Sequence, residues 1–287
     1  MDDLTYTLRQ LCLRNRDGSH ATQADRQRSL SLAARQLREA GFRQMRATSL
    51  KGKHVEALLQ RWQAEGLSAG TLKNRMAHLR WWAEKVGKAG ILPADNTSLG
   101  LPERRYVTNE SKAKELGRRL DRINDSHVHT SLRLQAAFGL RREESIKFQP
   151  RYADRGDHIA IKGSWAKGGR DRTVPLTTPE QRTVLDEAHR LVGQGSLIPA
   201  NKTYIQQRHV YDGQCKAAGL SNMHGLRHGY AQARYLVLTG WKAPAAGDSS
   251  TQQLTPAQQG QDQVARQTIS RELGHERLQI TTVYLGR

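Results

Sequence analysis

The sequence has little of what builds metal clusters, disulfide frameworks or membrane anchors. Its only two cysteines, Cys12 and Cys215, lie far apart, which excludes a thiolate zinc cluster and argues against a disulfide framework. It has no apolar run long enough to cross a membrane, and no lipidation motif. The first residues, MDDLTYTLRQLCLRNRDG, start acidic and lack the apolar segment of an export signal. We therefore expect no metal, no cofactor, no membrane contact and a cytoplasmic location.

Acidic residues are scarce relative to basic ones. The chain has 27 Asp and Glu against 46 Lys and Arg, which gives a formal net charge of +19. The basic residues are spread from end to end rather than confined to a tail, so the sequence predicts a polyanionic partner that contacts a broad surface. Nucleic acid is the first candidate, and an anionic membrane is a weaker one because no amphipathic anchor is evident.

The length of 287 residues exceeds the usual size of one hydrophobic core and favours two domains. Apolar residues repeat at helical spacing between about residues 21 and 100, for example at Leu30, Ala34 and Leu37. Ser68 precedes another such stretch and is typical of a helix N-cap. The run ILPADNTSLGLPERRYVTNE then loses periodicity, as a linker does. We predict a helical N-terminal domain over residues 1–104 and a second domain over residues 105–287.

Several cations lie off the apolar stripe of the predicted helix that follows Ser68. A solvated helix face would explain any one such set, but basic residues recur in this way on three predicted helices, which favours contact with phosphates. The residues that we predict to bind DNA are Lys73, Arg75, Arg80 and Lys85.

The second domain is predicted to be mostly helical with a small sheet. The strand-like HIAIKG is followed by the turn-rich SWAKGGRD and by RTVPL, which together indicate a hairpin. Residues 242–263 are rich in Ala, Gly, Ser, Thr, Pro and Gln, and this composition predicts a flexible insertion.

Four stretches contain residues suited to phosphodiester chemistry: GLRREES, KGGRDRTVPL, HGLRH and LGHERLQITTVY. Each also has a plain structural interpretation. The arginines of the first could form surface ion pairs, the lysine of the second could be solvated, and the tyrosine of the fourth could be packed. His224 and His228, four residues apart, could bind zinc on one helix face, but no nearby third ligand supports this.

Together and in this order, the four stretches resemble the catalytic motifs of the tyrosine recombinases, also called phage integrases. That family has an arginine in a G-L-R-x-x-E context, a hairpin lysine, an H-x-L-R-H helix, an L-G-H turn and a tyrosine soon after it. The resemblance covers about residues 132–284, and it implies a mainly α-helical protein with a core-binding domain and a mixed, mostly helical catalytic domain. The matching catalytic positions are Arg141, Lys167, His224, Arg227, His275 and Tyr284.

The resemblance implies DNA cleavage and rejoining without metal or ATP. Tyr284 would attack the phosphate and form a covalent 3′-phosphotyrosine, while Arg141 and Arg227 would hold the non-bridging oxygens, since guanidinium forks match phosphate geometry. His224 would accept the tyrosine proton and His275 would bind the phosphate. By resemblance, Lys167 would protonate the departing 5′ oxygen.

One geometric expectation follows for the last motif. At about 100° per residue, a single straight helix would put His275 and Tyr284 on opposite faces. We therefore predict a break near Gly274 and Glu276, with Tyr284 on a separate, loosely tethered element.

The resemblance also sets expectations about assembly, and two departures bear on them. The interval from Arg227 to His275 is longer than is usual, and only three residues follow Tyr284, fewer than in relatives whose tails dock on a neighbour. We expect double-stranded DNA recombination sites as partners. We expect the protein to form a homotetramer on two paired sites and to be a monomer or dimer off DNA. We also expect it to act on the nucleoid, in the integration or excision of a mobile element. Three alternatives stay open: a non-cleaving DNA-binding protein on the same scaffold, a type IB topoisomerase-like enzyme, and a metal-dependent nuclease using His224 and His228.

Overall fold

The computed structural model describes residues 2–166, 168–248 and 250–287, and this part of the chain is mainly α-helical with one small antiparallel sheet. The expected fold class is thus confirmed. By its internal contacts the chain divides into two compact units, Met1–Arg105 and Tyr106–Arg287.

The first unit is helical. Its α-helices are α1 (Asp3–Arg14), α2 (His20–Glu39), α3 (Gly52–Ala64) and α4 (Ala69–Lys85). The side chain of Ser68 accepts a hydrogen bond from the backbone N–H of Thr71, as its predicted role as N-cap requires. Helix α1 was not anticipated from the sequence; Leu4 and Leu8 fasten it to the core.

Two buried tryptophans hold the helices of the first unit together. The indole N–H of Trp62 donates to Oε1 of Gln36 at 2.8 Å, and that of Trp82 donates to the carbonyl of Ala47 at 2.8 Å. Both rings are almost fully buried. Because their polar N–H groups have partners, these large side chains bury their apolar surface without an unsatisfied donor.

The second unit surrounds a core to which most of its elements contribute. Its α-helices are α5 (Ser126–Phe138), α6 (Arg142–Ile146), α7 (Pro150–Ala153), α8 (Pro179–Val192), α9 (Tyr204–Ala217), α10 (Gly225–Thr239), α11 (Pro256–Glu272) and α12 (Leu278–Leu285). Short 3-10 helices across both units lie at Ala47–Ser49, Ala89–Ile91, Thr97–Leu99, Gly117–Arg122, Gly163–Trp165, Pro244–Ala246 and Thr251–Gln253.

The predicted hairpin is confirmed. Strand β1 (His158–Ile161) pairs antiparallel with β2 (Arg172–Pro175), with Ile159 opposite Val174. Ile159 and Val174 are fully buried. The hairpin therefore packs one face on the core.

The segment 242–263, expected to be a flexible insertion, contains two short 3-10 helices and the start of α11. Helix α11 begins at Pro256, where Thr255 and Gln258 form a reciprocal capping box. Further along, the buried carboxylate of Asp262 accepts from Oη of Tyr235 at 2.5 Å and from Nε of Arg266 at 2.8 Å. The expectation is therefore wrong from Pro256 onward, because capping and one buried polar anchor outweigh a composition that is poor in apolar residues.

Candidate active site

Helix α12 presents Tyr284 to the start of α10. The Tyr284 hydroxyl lies 2.9 Å from Nε2 of His224, and only 6 % of the residue's surface is exposed. Gln232 also donates to the carbonyl of Tyr284 at 3.0 Å. The expectation of a loosely tethered tyrosine is wrong, because packing and hydrogen bonds hold both its side chain and its backbone.

The residues after Tyr284 are held by the same unit. Nη1 of Arg266 donates to the carbonyl of Gly286 at 2.9 Å. The side-chain amide of Asn109 pairs with the backbone of Arg287, accepting from its N–H at 2.8 Å and donating to its carbonyl at 3.3 Å. These contacts fix the end of α12 within its own chain.

A break separates His275 from the helix that carries the tyrosine. Helix α11 ends at Glu272 and α12 begins at Leu278, so the predicted break is confirmed. Gly274 has φ +63°, a left-handed conformation that favours glycine. Nδ1 of His275 lies 2.8 Å from Oγ1 of Thr281, and its ring centroid lies 5.1 Å from that of Tyr284. The turn thus brings the imidazole and the phenol together.

The first turn of α10 contributes a buried arginine. Arg227 is fully buried and donates to the carbonyls of Gly139 and Leu273. Its Nη2 lies 3.4 Å from Nε2 of His275, while Nε has no hydrogen-bond partner among the described residues. An unsatisfied buried donor is costly, so this guanidinium is suited to an anion that enters the site.

Arg141 stands immediately before α6, with Glu144 one turn inside it. Oε1 of Glu144 accepts from Nη1 of Arg141 at 2.8 Å, and Oε2 accepts from the backbone N–H of Arg141 at 2.7 Å. Glu144 is fully buried, whereas 24 % of the Arg141 side chain is exposed. The carboxylate therefore orients an arginine that still reaches the surface.

Lys167 lies outside the described residues. The structure thus brings together five of the six predicted catalytic residues: Arg141, His224, Arg227, His275 and Tyr284.

The electrostatics of the site keep its histidines neutral. Burial lowers the pKa of His224, and the charges of Arg227 and Arg141 lower it further. The same causes, burial first, bring the pKa of His275 to about 3. Burial, followed by the positive charge of Arg141, brings the pKa of Arg227 down to about 10, so it remains a cation at neutral pH. The site therefore combines fixed positive charge with neutral imidazoles, of which His224 lies within hydrogen-bond distance of the Tyr284 hydroxyl.

Two family models match the chain. The one described as the N-terminal part of phage integrases matches residues 1–91, and the one described as integrase matches residues 102–233. The chain belongs to the tyrosine recombinase family. These matches do not favour the alternatives of a non-cleaving binding protein or a topoisomerase-like enzyme. A search of curated proteins finds no match to the recombinase.

Solved structures share the fold of the recombinase at low sequence identity. Lambda integrase in a dimer bound to a COC′ core site superposes with a TM-score of 0.64 at 15% identity, covering 99% of this chain and 96% of that one. The Tn1549 transposon integrase with circular intermediate DNA gives a TM-score of 0.59 at 14% identity, covering 100% and 96%. XerH recombinase bound to palindromic difH gives 0.60 at 16% identity, covering 99% and 81%.

The four cations predicted to bind DNA lie on α4 of the recombinase, and contacts within the first unit are seen for Arg80, Arg75 and Lys85. Arg80 donates to the carbonyls of Pro93 and Asp95 and to Asn96, at 2.7 to 2.8 Å. Arg75 lies over the Trp62 ring, and Lys85 pairs with Asp17 at 3.1 Å. Lys73 is exposed. Contact of these residues with DNA stays a prediction.

Two neighbours of the site were missed by sequence reasoning. The ring of His228, considered only as a zinc ligand, lies 4.3 Å from the ring of Tyr284 by centroids. Arg172, in the RTVPL strand, forms an ion pair with Glu144 at 2.6 Å. Strand alternation assigns Arg172 a face, but it does not identify a buried partner.

The described residues contain neither a cluster of three or more His, Cys, Asp or Glu side chains that could hold a metal ion nor a helix long and apolar enough to cross a membrane.

Proposed function

We propose that the recombinase cuts and rejoins double-stranded DNA at specific sites through a covalent 3′-phosphotyrosine on Tyr284. The observation that carries this proposal is the 2.9 Å contact between the Tyr284 hydroxyl and Nε2 of His224, next to the buried guanidinium of Arg227. A nucleophile, a neutral base and a fixed cation within one site are what phosphodiester transfer requires.

In the proposed cleavage step, Oη of Tyr284 attacks the scissile phosphorus and its proton passes to Nε2 of His224. The new phosphorus–Oη bond replaces the bond to the 5′ oxygen, which leaves with a proton that we assign to Lys167 from its position in the sequence. Attack by a 5′ hydroxyl reverses these transfers and releases the tyrosine. Because the phosphotyrosine conserves the phosphodiester linkage, rejoining needs no nucleotide cofactor.

We assign the stabilisation of negative charge on the phosphoryl oxygens to two arginines and a histidine. Arg227 offers its unpartnered Nε, and Arg141 offers the exposed part of its fork. His275, held by Thr281, would donate a hydrogen bond to the phosphate. Each preorganised donor of this kind is typically worth about 3 to 4 kcal/mol in a transition state.

We propose that residues 1–104 form a core-binding domain that grips the DNA, with contacts from Lys73, Arg75, Arg80 and Lys85, and that residues 105–287 form the catalytic domain. The net charge of +19 supports a DNA partner. One structural neighbour was solved as a dimer on a core site and another is a transposon integrase with circular intermediate DNA, which supports paired sites and a mobile element. We infer that the protein forms a homotetramer on two paired sites and is a monomer or dimer off DNA. We also infer that it acts in the cytoplasm, on the nucleoid.

The test is whether Tyr284 becomes covalently attached to DNA. Wild type, Tyr284→Phe and the control Tyr6→Phe, which alters an exposed tyrosine of α1, are mixed in EDTA with supercoiled plasmid carrying the DNA that flanks the gene. Adducts that survive detergent are then counted. We expect adducts with wild type and Tyr6→Phe, none with Tyr284→Phe, and nearly equal DNA affinity for all three.

If plasmid cleavage is reversed too quickly for adducts to be counted, the measurement is repeated on a nicked synthetic site. The sequence of that site is found by footprinting of the bound DNA. An adduct with Tyr284→Phe, or tight and specific binding without any adduct from wild type on the nicked site, would contradict the proposal.

A further inference from the structure

Arg172 is an almost buried arginine that joins three elements of the site. It opens strand β2, and only 6 % of its side chain is exposed. Its Nη1 and Nη2 donate to the two oxygens of Glu144 in α6, at 2.9 and 2.6 Å. Its Nε donates to the carbonyl of Glu272, the last residue of α11, at 2.9 Å. One guanidinium therefore ties the hairpin to both α6 and the turn before His275.

The turn that leads to His275 is shaped to fit this side chain. Gly274 has φ +63°, and a Cβ atom built there would lie 2.8 Å from Cδ of Arg172. Any larger residue would displace the arginine stem. Backbone conformation and local space thus both require glycine beside Arg172.

The carboxylate of Glu144 divides its oxygens between two arginines. Oε1 accepts from Nη1 of both Arg141 and Arg172, and Oε2 accepts from the backbone of Arg141 and from Nη2 of Arg172. Glu144 has no exposed surface, so water cannot replace a lost partner. Without Arg172, the buried negative charge would draw more strongly on the guanidinium of Arg141.

We propose that Arg172 is a positioning residue of the recombination reaction, which holds Glu144 so that Arg141 stays aimed at the phosphate and fixes the turn that carries His275. It reaches the reaction through these residues and does not touch the DNA itself. This inference rests on the proposed function of Arg141 and His275. It predicts that loss of Arg172 slows cleavage by misaligning the phosphate site, beyond any loss of stability.

The pH dependence of cleavage distinguishes this role from a purely structural one. The charged and titratable groups that face Glu144 are Arg141 immediately before its own helix, Arg172 on β2, Arg227 on α10 and His224 immediately before α10. Burial raises the pKa of Glu144, but the hydrogen bonds and charge of Arg172, followed by the charges of Arg227 and Arg141, outweigh it and bring the pKa to about 2. Removal of the largest of these favourable contributions moves the pKa upward, so protonation of Glu144 and release of Arg141 should occur at higher pH than in wild type.

The experiment measures single-turnover adduct formation on a nicked site, with enzyme in excess, from pH 5 to pH 9. The variants are Arg172→Gln and Arg172→Lys. The control is Arg182→Gln, which breaks another bidentate arginine–carboxylate pair, with Asp154, that is more exposed and lies away from the site. Thermal unfolding and DNA affinity are recorded for each protein, and rates are expressed per folded molecule.

We expect Arg172→Gln to slow adduct formation by roughly 100-fold, the typical effect of disturbing a preorganised donor, with the acid limb of the profile moved to higher pH. Arg172→Lys keeps the positive charge but not the bidentate fork, so we expect this variant to fold and to recover part of the rate. Its acid limb should move to higher pH by less than that of Arg172→Gln. Arg182→Gln should lose some stability and keep the wild-type rate and profile.

Two outcomes would overturn the inference. One is a wild-type rate and pH profile in Arg172→Lys together with the same in folded Arg172→Gln. The other is a slower overall rate of adduct formation in both Arg172 variants that is fully explained by their fraction of unfolded protein. The rate per folded molecule would then equal that of wild type, as is expected for Arg182→Gln. Failure of wild type to form any adduct would instead contradict the proposed function, so the two failures can be told apart.

Discussion

Two arginines at the site in the second unit and two on the surface of the first unit are used in different ways. In the second unit, Arg227 is fully buried and Arg172 is 6 % exposed, and both bind backbone carbonyls or a buried carboxylate. In the first unit, Arg28 and Arg35 lie on the surface of α2 with 76% and 69% of their side chains exposed. Their ion pairs, with Asp25 and Glu39, are solvated.

This difference separates two kinds of electrostatic function. A buried guanidinium has a fixed direction and a field little screened by water, which suits one phosphate at one position. Exposed cations are mobile and screened by salt, which suits attraction to a long polyanion. Substitutions of the buried arginines at the site should therefore change the rate of chemistry, and those of cations in the first unit should change DNA affinity or local stability.

Arg227→Lys should have the largest effect of the substitutions that keep charge. Lysine lacks the fork that reaches the carbonyls of Gly139 and Leu273 while directing Nε at the site. We expect adduct formation on a nicked site to fall by roughly 100- to 1000-fold, with DNA affinity nearly unchanged. Rapid-quench measurement of the adduct, with affinity measured in parallel, checks this. A variant with weak DNA binding and a normal rate at saturation would break the contrast between the units.

The histidines of the second unit should set an unusually acidic lower limit to activity. Burial and nearby arginines lower the pKa of His224 below its ordinary value of 6.5, so the base stays neutral as the pH falls through 6.5. We expect the wild-type rate of adduct formation to be level across that value and to decline only at lower pH. A rate profile whose acid limb is centred at pH 6.5 or above would show that His224 is not the proton acceptor in this environment.

Arg80→Ala tests whether a first-unit cation can be structural. Its guanidinium donates to two backbone carbonyls and to Asn96, and so fastens the segment after α4. We expect a loss of about 1 to 3 kcal/mol in the free energy of unfolding of the first unit, since hydrogen bonds to a charged group are broken. Denaturant unfolding measures this, and Arg28→Ala, on an exposed ion pair, is the control expected to change little.

Local rules predicted much of this fold, and tertiary partners account for what they missed. The periodicity of Leu30, Ala34 and Leu37, the cap at Ser68 and the alternating hairpin strands are written in short windows of sequence, and all are present. The phase of an ideal helix was enough to predict the break between His275 and Tyr284. The Gln-rich start of α11 was missed because composition was weighed above the capping signal of Thr255 and Gln258.

The same limit applies to the site. The order of motifs identified Arg141, His224, Arg227, His275 and Tyr284, because each lies in a recognisable local context. The contact from Arg172 to Glu144 spans 28 residues, and that from Arg80 to Asn96 spans 16. No local pattern states which carboxylate or amide an arginine will meet after folding, so these partners could be found only in three dimensions.

Lys73→Ala should give the smallest effect and the one most dependent on salt. Lys73 is exposed on α4, so its charge is accessible to one phosphate of bound DNA. Its loss should weaken DNA binding several-fold at low salt and reduce the slope of log affinity against log salt by about 1, because one fewer counterion is released. The rate of adduct formation at saturating protein should stay at the wild-type value. An unchanged salt slope would remove Lys73 from the DNA interface, and a slowed rate at saturation would mean that a first-unit cation acts on the chemistry, contrary to the division between the two units.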